Sequence, residues 1–301
     1  MQVLKEMAND LALSEEYIYK FSHRTFVAYK QYKKNCKNGK KRTICEPSAE
    51  LKLLQYWVLD NVLDRFPVSE YSTAYEKKCS VKTNAYKHCK AKYIFHTDIK
   101  NFFESIPSLF VYELLIEHYS AEETRFLMDI VLRNGKMVVG SITAPKLANC
   151  IMYQFDKEIE KELQEIQEIT YTRYADDIIV SSDSWIEPAV CECIKNKLES
   201  MGLSINEKKT YYSNKSKRRV VTGVVIDNNN NSLSIGWKKY KQLKGEIYKF
   251  LVYDDEASES RVSRKDKLIG KLAYLKSIDP NRYHSLKTAF KKYKNFEQLF
   301  R

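Results

Sequence analysis

Strand-like and helix-like segments alternate along this chain without an internal repeat, which predicts an α+β fold with a largely antiparallel central sheet and a helical C-terminal unit. Two observations carry that class. The runs 169–173 and 178–182 are rich in β-branched and aromatic residues, and they flank Tyr174-Ala175-Asp176-Asp177 as the arms of one hairpin. Near the C-terminus, Leu243, Ile247 and Phe250, then Leu268, Ile269, Leu272 and Leu275, recur at helical spacing.

Taken in order, the N-terminal residues through Lys20 read as helical, with Leu4, Met7 and Leu11 on one face and Ser14 capping a second short helix. Residues 26–46 read as a β-hairpin turning at Asn38-Gly39, and its second arm carries Lys40, Lys41 and Arg42. Those cations either reach a triphosphate or keep an exposed edge from pairing with another chain. Pro47 ends the arm, and a core-facing helix through Leu51, Leu54, Trp57, Val58 and Val62 follows. Residues 71–90 read as a polar loop, 93–97 as a strand ending at Asp98, and 108–133 as helix. Residues 138–145 form a loop into a helix through Leu147, Ile151, Met152 and Phe155. Beyond the acidic hairpin come a helix over 189–201 and a second hairpin, with arms 219–227 and 232–237. The charged stretch 253–267 reads as a mobile connection between the last two helices.

With 301 residues the chain can bury a substantial core, as one extended domain or two to three subdomains. A formal charge of +12 points to a polyanionic partner. The excess is local: eleven Lys or Arg fall between Lys208 and Lys249, opposed only by Asp227 and Glu246, which favours a phosphate-binding surface over a merely solvated face. The 22 Tyr and 13 Phe suit base stacking, although most of them fill a core. Seven cysteines without Cys-x-x-Cys pairs, no signal peptide and no bilayer-length apolar run make a reducing cytosol the expected compartment, with no membrane partner. Cys79, His88 and Cys89, like Cys191 and Cys193, lack the paired spacing of a structural zinc.

The chemistry lies in three carboxylates. Adjacent acids at a rigid hairpin tip repel unless a cation neutralises them, although a solvated Asp-Asp turn is equally common. Asp98 decides between the two, because nucleotidyl transfer by two divalent ions needs oxygen ligands from at least two chain segments. A strand end with one Asp beside a hairpin with two is the arrangement of a polymerase palm; a helix N-cap is the bland reading of Asp98, and the two can coexist.

On these residues the chain resembles the bacterial reverse transcriptases of the retron type. The segments that carry the resemblance are Thr97-Asp98-Ile99-Lys100-Asn101-Phe102-Phe103, Tyr171-Thr172-Arg173-Tyr174-Ala175-Asp176-Asp177 and Lys208-Lys209-Thr210, with Asn84-Ala85-Tyr86-Lys87-His88 and Val221-Thr222-Gly223 as the retron-specific elements. The resemblance implies a right-hand polymerase fold: fingers over 1–92, a palm with an antiparallel sheet over 93–215, and the Val-Thr-Gly hairpin with a helical thumb over 216–301. It implies two Mg²⁺ ions, with Mn²⁺ a substitute, held by Asp98, Asp176, Asp177 and the Ile99 carbonyl. Deoxynucleotides would meet Lys41, Arg42, Gly140, Lys209 and Phe103, the last as a steric gate against a ribose hydroxyl. Lys208 is nearly as good a candidate as Lys209. Asn84, His88, Lys217, Arg218, Arg219, Val221, Thr222 and Gly223 would hold RNA. The implied partners are a cognate structured non-coding RNA, its branched DNA product and a separate effector protein in antiphage defence.

The chain departs from the family pattern in two places. Val138-Val139-Gly140 stands where Pro-Gln-Gly is usual, which puts Val139 in place of a nucleotide-contacting Gln, and Thr73-Ala74-Tyr75 stands where a Gly-Phe pair is common. Another bacterial defence reverse transcriptase or a catalytically silent RNA-binding scaffold are the competing readings; three retained acids speak against the scaffold.

Overall fold

The computed structural model describes residues 1–35, 39, 41–253 and 259–300. In chain order its elements are α1 (Gln2–Leu11), α2 (Glu15–Ser22), β1 (Tyr29–Asn35), β2 (Lys41–Pro47), α3 (Ala49–Asn61), α4 (Val81–His88), β3 (Tyr93–Asp98), α5 (Phe102–Ser105), α6 (Ser108–Ile116), α7 (Ala121–Val131), α8 (Ala144–Ile151) and α9 (Tyr153–Ile166). They continue with β4 (Thr170–Tyr174), β5 (Asp177–Ser182), α10 (Pro188–Ser200), β6 (Tyr211–Asn214), β7 (Arg219–Val221), β8 (Val224–Ile226), β9 (Leu233–Ser234), α11 (Trp237–Val252), α12 (Glu259–Ile278) and α13 (Pro280–Phe290). The strands form a β1–β2 ribbon, a four-stranded sheet in the order β4-β5-β3-β6 and a three-stranded sheet in the order β7-β8-β9. The α+β class is the observed one. Among the described residues no helix is long and apolar enough to cross a membrane.

Local sequence explains most boundaries. Ser14 caps α2 by accepting from Tyr17 N, as expected. β1 and β2 pair antiparallel from Tyr29↔Pro47 to Asn35↔Lys41, while Asn38 of the expected turn and Lys40 of its second arm lie outside the described residues. The stretch read as a polar loop contains α4, started by a reciprocal capping box between Ser80 and Thr83. The helix read over 108–133 is two, because Ser120 and Glu123 form a second capping box that starts α7. Likewise α8 and α9 break at Met152, whose ψ of 3° leaves the helical region.

The second hairpin also differs. The arm read as 219–227 folds back on itself at Thr222-Gly223, both with positive φ (44° and 81°), so β7 and β8 pair across a two-residue turn and β9 joins β8. Only glycine takes such a φ without strain, so Val-Thr-Gly is a turn sequence. The connection expected over 253–267 is shorter, since α12 begins at Glu259; residues 254–258 lie outside the described set. A further helix, α13, follows Pro280 at its first position, with Asp279 accepting from Arg282 N.

The chain divides into two compact units. The first comprises Met1–Lys78, His96–Val180 and Ile186–Tyr211. Here α1, α2 and α3 all pack on α7, burying Met7, Leu51, Leu54, Val58, Leu127 and Ile130. The buried amide of Gln55 is fully bonded: it donates to Tyr29 Oη (2.9 Å) and Ile130 O (3.0 Å) and accepts from Ile142 N (3.1 Å). The second unit comprises Cys79–Phe95, Ser181–Trp185 and Tyr212–Arg301. In it α4 packs on β7, β8 and β9, and α11, α12 and α13 pack in succession around Leu243, Ile247, Leu272, Leu275 and Leu286.

Candidate active site

Strand β3 ends at Asp98, and β4 and β5 are joined by Ala175-Asp176, with Ala175 in the left-handed region at φ 56°. Two backbone bonds tie these segments: Ile99 N donates to Asp176 O (2.9 Å), and Asn206 N donates to Asp98 O (2.7 Å). The result brings the three acids together. One carboxylate oxygen from each of Asp98, Asp176 and Asp177 lies within 4.8 Å of the others.

The electrostatics follow from that crowding. Burial pushes the Asp176 carboxyl up, and the hydrogen bond with Asp98 and the Asp177 charge add to it, so that it titrates near 7. Asp98 is 2% exposed, and its oxygens accept from Asn206 Nδ2 (3.0 Å) and Lys209 Nζ (2.5 Å). Burial works against the Lys209 charge, but the Asp98 bond and all three carboxylates outweigh it and raise its pKa. An acid that keeps its proton to neutrality marks a place where positive charge is in deficit. Three clustered carboxylates are the hard donors that Mg²⁺ or Mn²⁺ takes, so the residues fit a divalent ion.

A cavity of about 840 Å³ opens over Asp98 and Asp176. Lys41, Arg42, Lys100, Lys208 and Lys209 supply its cations, and Tyr75, Phe102, Phe103 and Val139 are among its apolar surface. The expected nucleotide residues Lys41, Arg42, Phe103 and Lys209 therefore share one wall. Gly140 does not line it. At φ 111° a β-carbon there would stand 2.6 Å from Cys45 O, so Gly140 lets the loop before α8 lie against β2, where Cys45 N donates to Val139 O (2.8 Å).

Three residues that the sequence reading passed over support this centre. His96 sits 3.4 Å from Asp177 Oδ1 through Nε2, gives Nδ1–H to Lys209 O (3.1 Å) and stacks on Tyr211 at 4.9 Å. Burial opposes its protonation, yet Asp177 raises its pKa overall. Arg173, wholly buried, makes a two-pronged pair with Asp156 (2.7 and 2.8 Å) and donates to Ala175 O (3.2 Å) in the hairpin tip. Asp156 also accepts from Tyr171 Oη (2.8 Å). The signals were there: His96 is two residues before Asp98 on the same strand face, and Arg173 is a lone charge inside an apolar arm.

The residues expected to grip RNA separate into two groups. Lys217 and Arg218 are exposed. Asn84, His88, Arg219 and Val221 are fully buried in the second unit, so their side chains are turned to the protein itself. Arg219 spends its guanidinium on Asn228 Oδ1, Cys89 O, Ala91 O, Asp227 O and Asn231 Oδ1, leaving nothing for a phosphate. His88 Nδ1 meets Ser181 Oγ at 2.7 Å, and burial lowers its pKa to about 3, so it is neutral. Asn84 Nδ2 donates to Thr222 Oγ1 (3.4 Å), which joins the two retron-type elements to each other. Gly223, exposed at the turn, accepts from Lys239 Nζ (3.1 Å).

Comparison with known proteins agrees with the motifs. Residues 31–226 match the family described as Reverse transcriptase (RNA-dependent DNA polymerase). The Escherichia coli retron Ec86 reverse transcriptase is 31% identical over 296 residues, covering 97% of this chain and 89% of that protein. The retron Ec73 reverse transcriptase of the same organism is 31% identical over 270 residues, 83% of each chain. Among solved structures, telomerase from Candida albicans in complex with a fragment of telomeric RNA aligns at a TM-score of 0.48 and 12% identity, covering 90% of this chain and 59% of that one, a likeness too slight to carry argument.

Proposed function

This chain belongs to the retron reverse transcriptases, and from that premise we propose that it copies a cognate structured non-coding RNA into DNA, leaving a branched RNA–DNA product, by two-metal nucleotidyl transfer. The observation that carries the reading is the carboxylate cluster, two of whose members, Asp98 and Asp176, line a cavity with cationic and aromatic side chains. Asp98, Asp176 and Asp177, with the Ile99 carbonyl, would hold Mg²⁺, which when bound makes the attacking hydroxyl more acidic and neutralises the leaving pyrophosphate.

The chain's own side chains do the rest of the work. Arg42 and Lys41 grip the triphosphate from the β1–β2 ribbon. Lys209, already bonded to Asp98, holds a proton and a positive charge where the pyrophosphate forms. Phe103, half-buried in the cavity wall, excludes a 2′-hydroxyl by contact. Gly140 serves the site indirectly, through the seat of β2. Lys217 and Arg218 offer exposed charge to an RNA phosphate backbone. The fingers, palm and thumb (1–92, 93–215 and 216–301) divide the chain by role, whereas its compact units divide it by packing. A cytosolic setting, and antiphage defence in which the product restrains a separate effector, belong to the same proposal and rest on the family.

The test is to purify the protein with its nucleic acid and sequence that fraction. A short covalent RNA–DNA hybrid is expected from the parent protein. The double variant Asp176→Asn, Asp177→Asn should carry the RNA without DNA, its synthesis down by about a thousandfold or more. DNA synthesis at the parent rate in that variant would sink the assignment of the site.

A further inference from the structure

The cavity wall contains a large, exposed aromatic residue that the roles above leave unassigned. Tyr75 is 53% exposed, yet its backbone sits at φ 64°, which a β-carbon resists. The conformation is held from both sides. Thr73 N donates to Arg173 O at 2.8 Å, and Thr73 Oγ1 reaches the same carbonyl at 3.1 Å. Asn149 Nδ2 donates to Ala74 O at 2.9 Å, and Glu76 accepts from Asn149 (3.3 Å) and Lys146 (3.4 Å). A sparsely populated conformation persists only where its surroundings over-determine it, and such positions gather at ligand sites. Here the surroundings fix a bulky ring in an open cavity.

The ring's neighbours say what it meets. Its centroid lies 6.4 Å from that of Phe103, and Phe103 in turn lies 5.4 Å from buried Phe102. The three rings form a chain of contacts, Tyr75 to Phe103 to Phe102. Burial raises the Tyr75 phenol, with Asp176 adding to the rise and Arg42 opposing it, so the phenol lies in the field of both the carboxylates and the basic strand. A nucleotide with its reacting phosphate at the acids and its triphosphate at Arg42 would have its sugar beside these rings. Val139, in the same wall, has no polar side-chain atom to give.

We propose that Tyr75 is a specificity-determining residue of the nucleotide site: its ring and that of Phe103 together clamp the sugar of the incoming deoxynucleotide and set the preference against ribose. The proposal rests on the reading of Phe103 as the sugar gate. A lone half-buried ring can yield to a hydroxyl by turning; a ring in contact with two others has less room to do so. Tyr75 supplies one of those contacts, and its own surface covers part of the sugar.

Steady-state incorporation of deoxynucleotides and ribonucleotides separates the possibilities. Tyr75→Ala should raise the KM for deoxynucleotides about tenfold with a smaller change in kcat, and cut the deoxy-over-ribo preference severalfold, with RNA binding unchanged. Tyr75→Gly, which relieves the backbone strain and so keeps the fold, should show the same losses at equal or greater thermal stability. Tyr75→Phe should retain the sugar preference. Parent KM and parent sugar preference in both Tyr75→Ala and Tyr75→Gly would overturn the proposal. Phe103→Ala reports on the gate by itself: an unchanged preference there, beside a raised KM in Tyr75→Gly, would remove the gate and leave Tyr75 as a nucleotide contact.

Discussion

The acidic centre of the first unit and the Val-Thr-Gly turn of the second are equally diagnostic of the family, yet their side chains are used in opposite ways. Asp98, Asp176, Arg42 and Lys209 face a cavity and keep polar capacity for something that is not protein. Asn84, His88 and Arg219 are spent inward, on Thr222, on Ser181 and on five protein oxygens. A family signature can thus mark a ligand site or an internal joint, and burial with its hydrogen bonds tells which. The joint shapes the turn, and its neighbours Lys217 and Arg218 stay exposed.

The most severe way to probe this contrast is Arg219→Met. It strips partners from five buried or half-buried oxygens and should cost about 3 kcal/mol of stability in denaturant unfolding. Unchanged stability with weakened RNA binding would return Arg219 to the RNA surface. His88 gives a smaller, pH-dependent effect. Its folded pKa near 3 lies below the ordinary value near 6.5, so the unfolded chain binds the extra proton and stability falls as pH drops through that window. Between pH 7 and pH 5 the loss should be about 2 kcal/mol, and His88→Gln should flatten it. Asp176 has the opposite sign: with a folded pKa near 7 against an ordinary 3.8, the metal-free fold loses its contribution as pH rises through that range. The smallest effect belongs to the exposed pair. Lys217→Ala with Arg218→Ala should leave stability unchanged, weaken RNA binding and lower the salt slope of log affinity by about 2 in a filter-binding titration. A parent-like slope would mean that the RNA lies elsewhere.

These contrasts also explain what was legible in the sequence. The acidic hairpin and the Asp98 strand could be read because alternating β-branched runs have one structural solution, and because like charges at a tip ask for a cation. The α4 helix could not be read from hydrophobic spacing, since its start depends on one reciprocal pair, Ser80 and Thr83, in a polar stretch. The fold-back at Thr222-Gly223 was hidden because Val220 and Val221 continue into Val224 and Val225 as one apolar run, and a single glycine cuts it. Arg219 read as surface charge because nothing local announces that carbonyls distant in sequence, Cys89 O and Ala91 O, will enclose it. Arg173 did carry a local signal, a lone charge in an apolar arm, but its partner Asp156 lies on a helix seventeen positions away.

The bare α-carbon at Gly140 has an effect beyond its own loop. Cys45 O stands where a methyl group would go, and Cys45 belongs to the same strand as Lys41 and Arg42. The aim of these two cavity-lining cations therefore depends on a hydrogen atom almost one hundred residues further along the chain. An added carbon at that point would leave every reactive group intact and tilt the arm that delivers them, so that damage to catalysis would begin as an error of alignment rather than of chemistry.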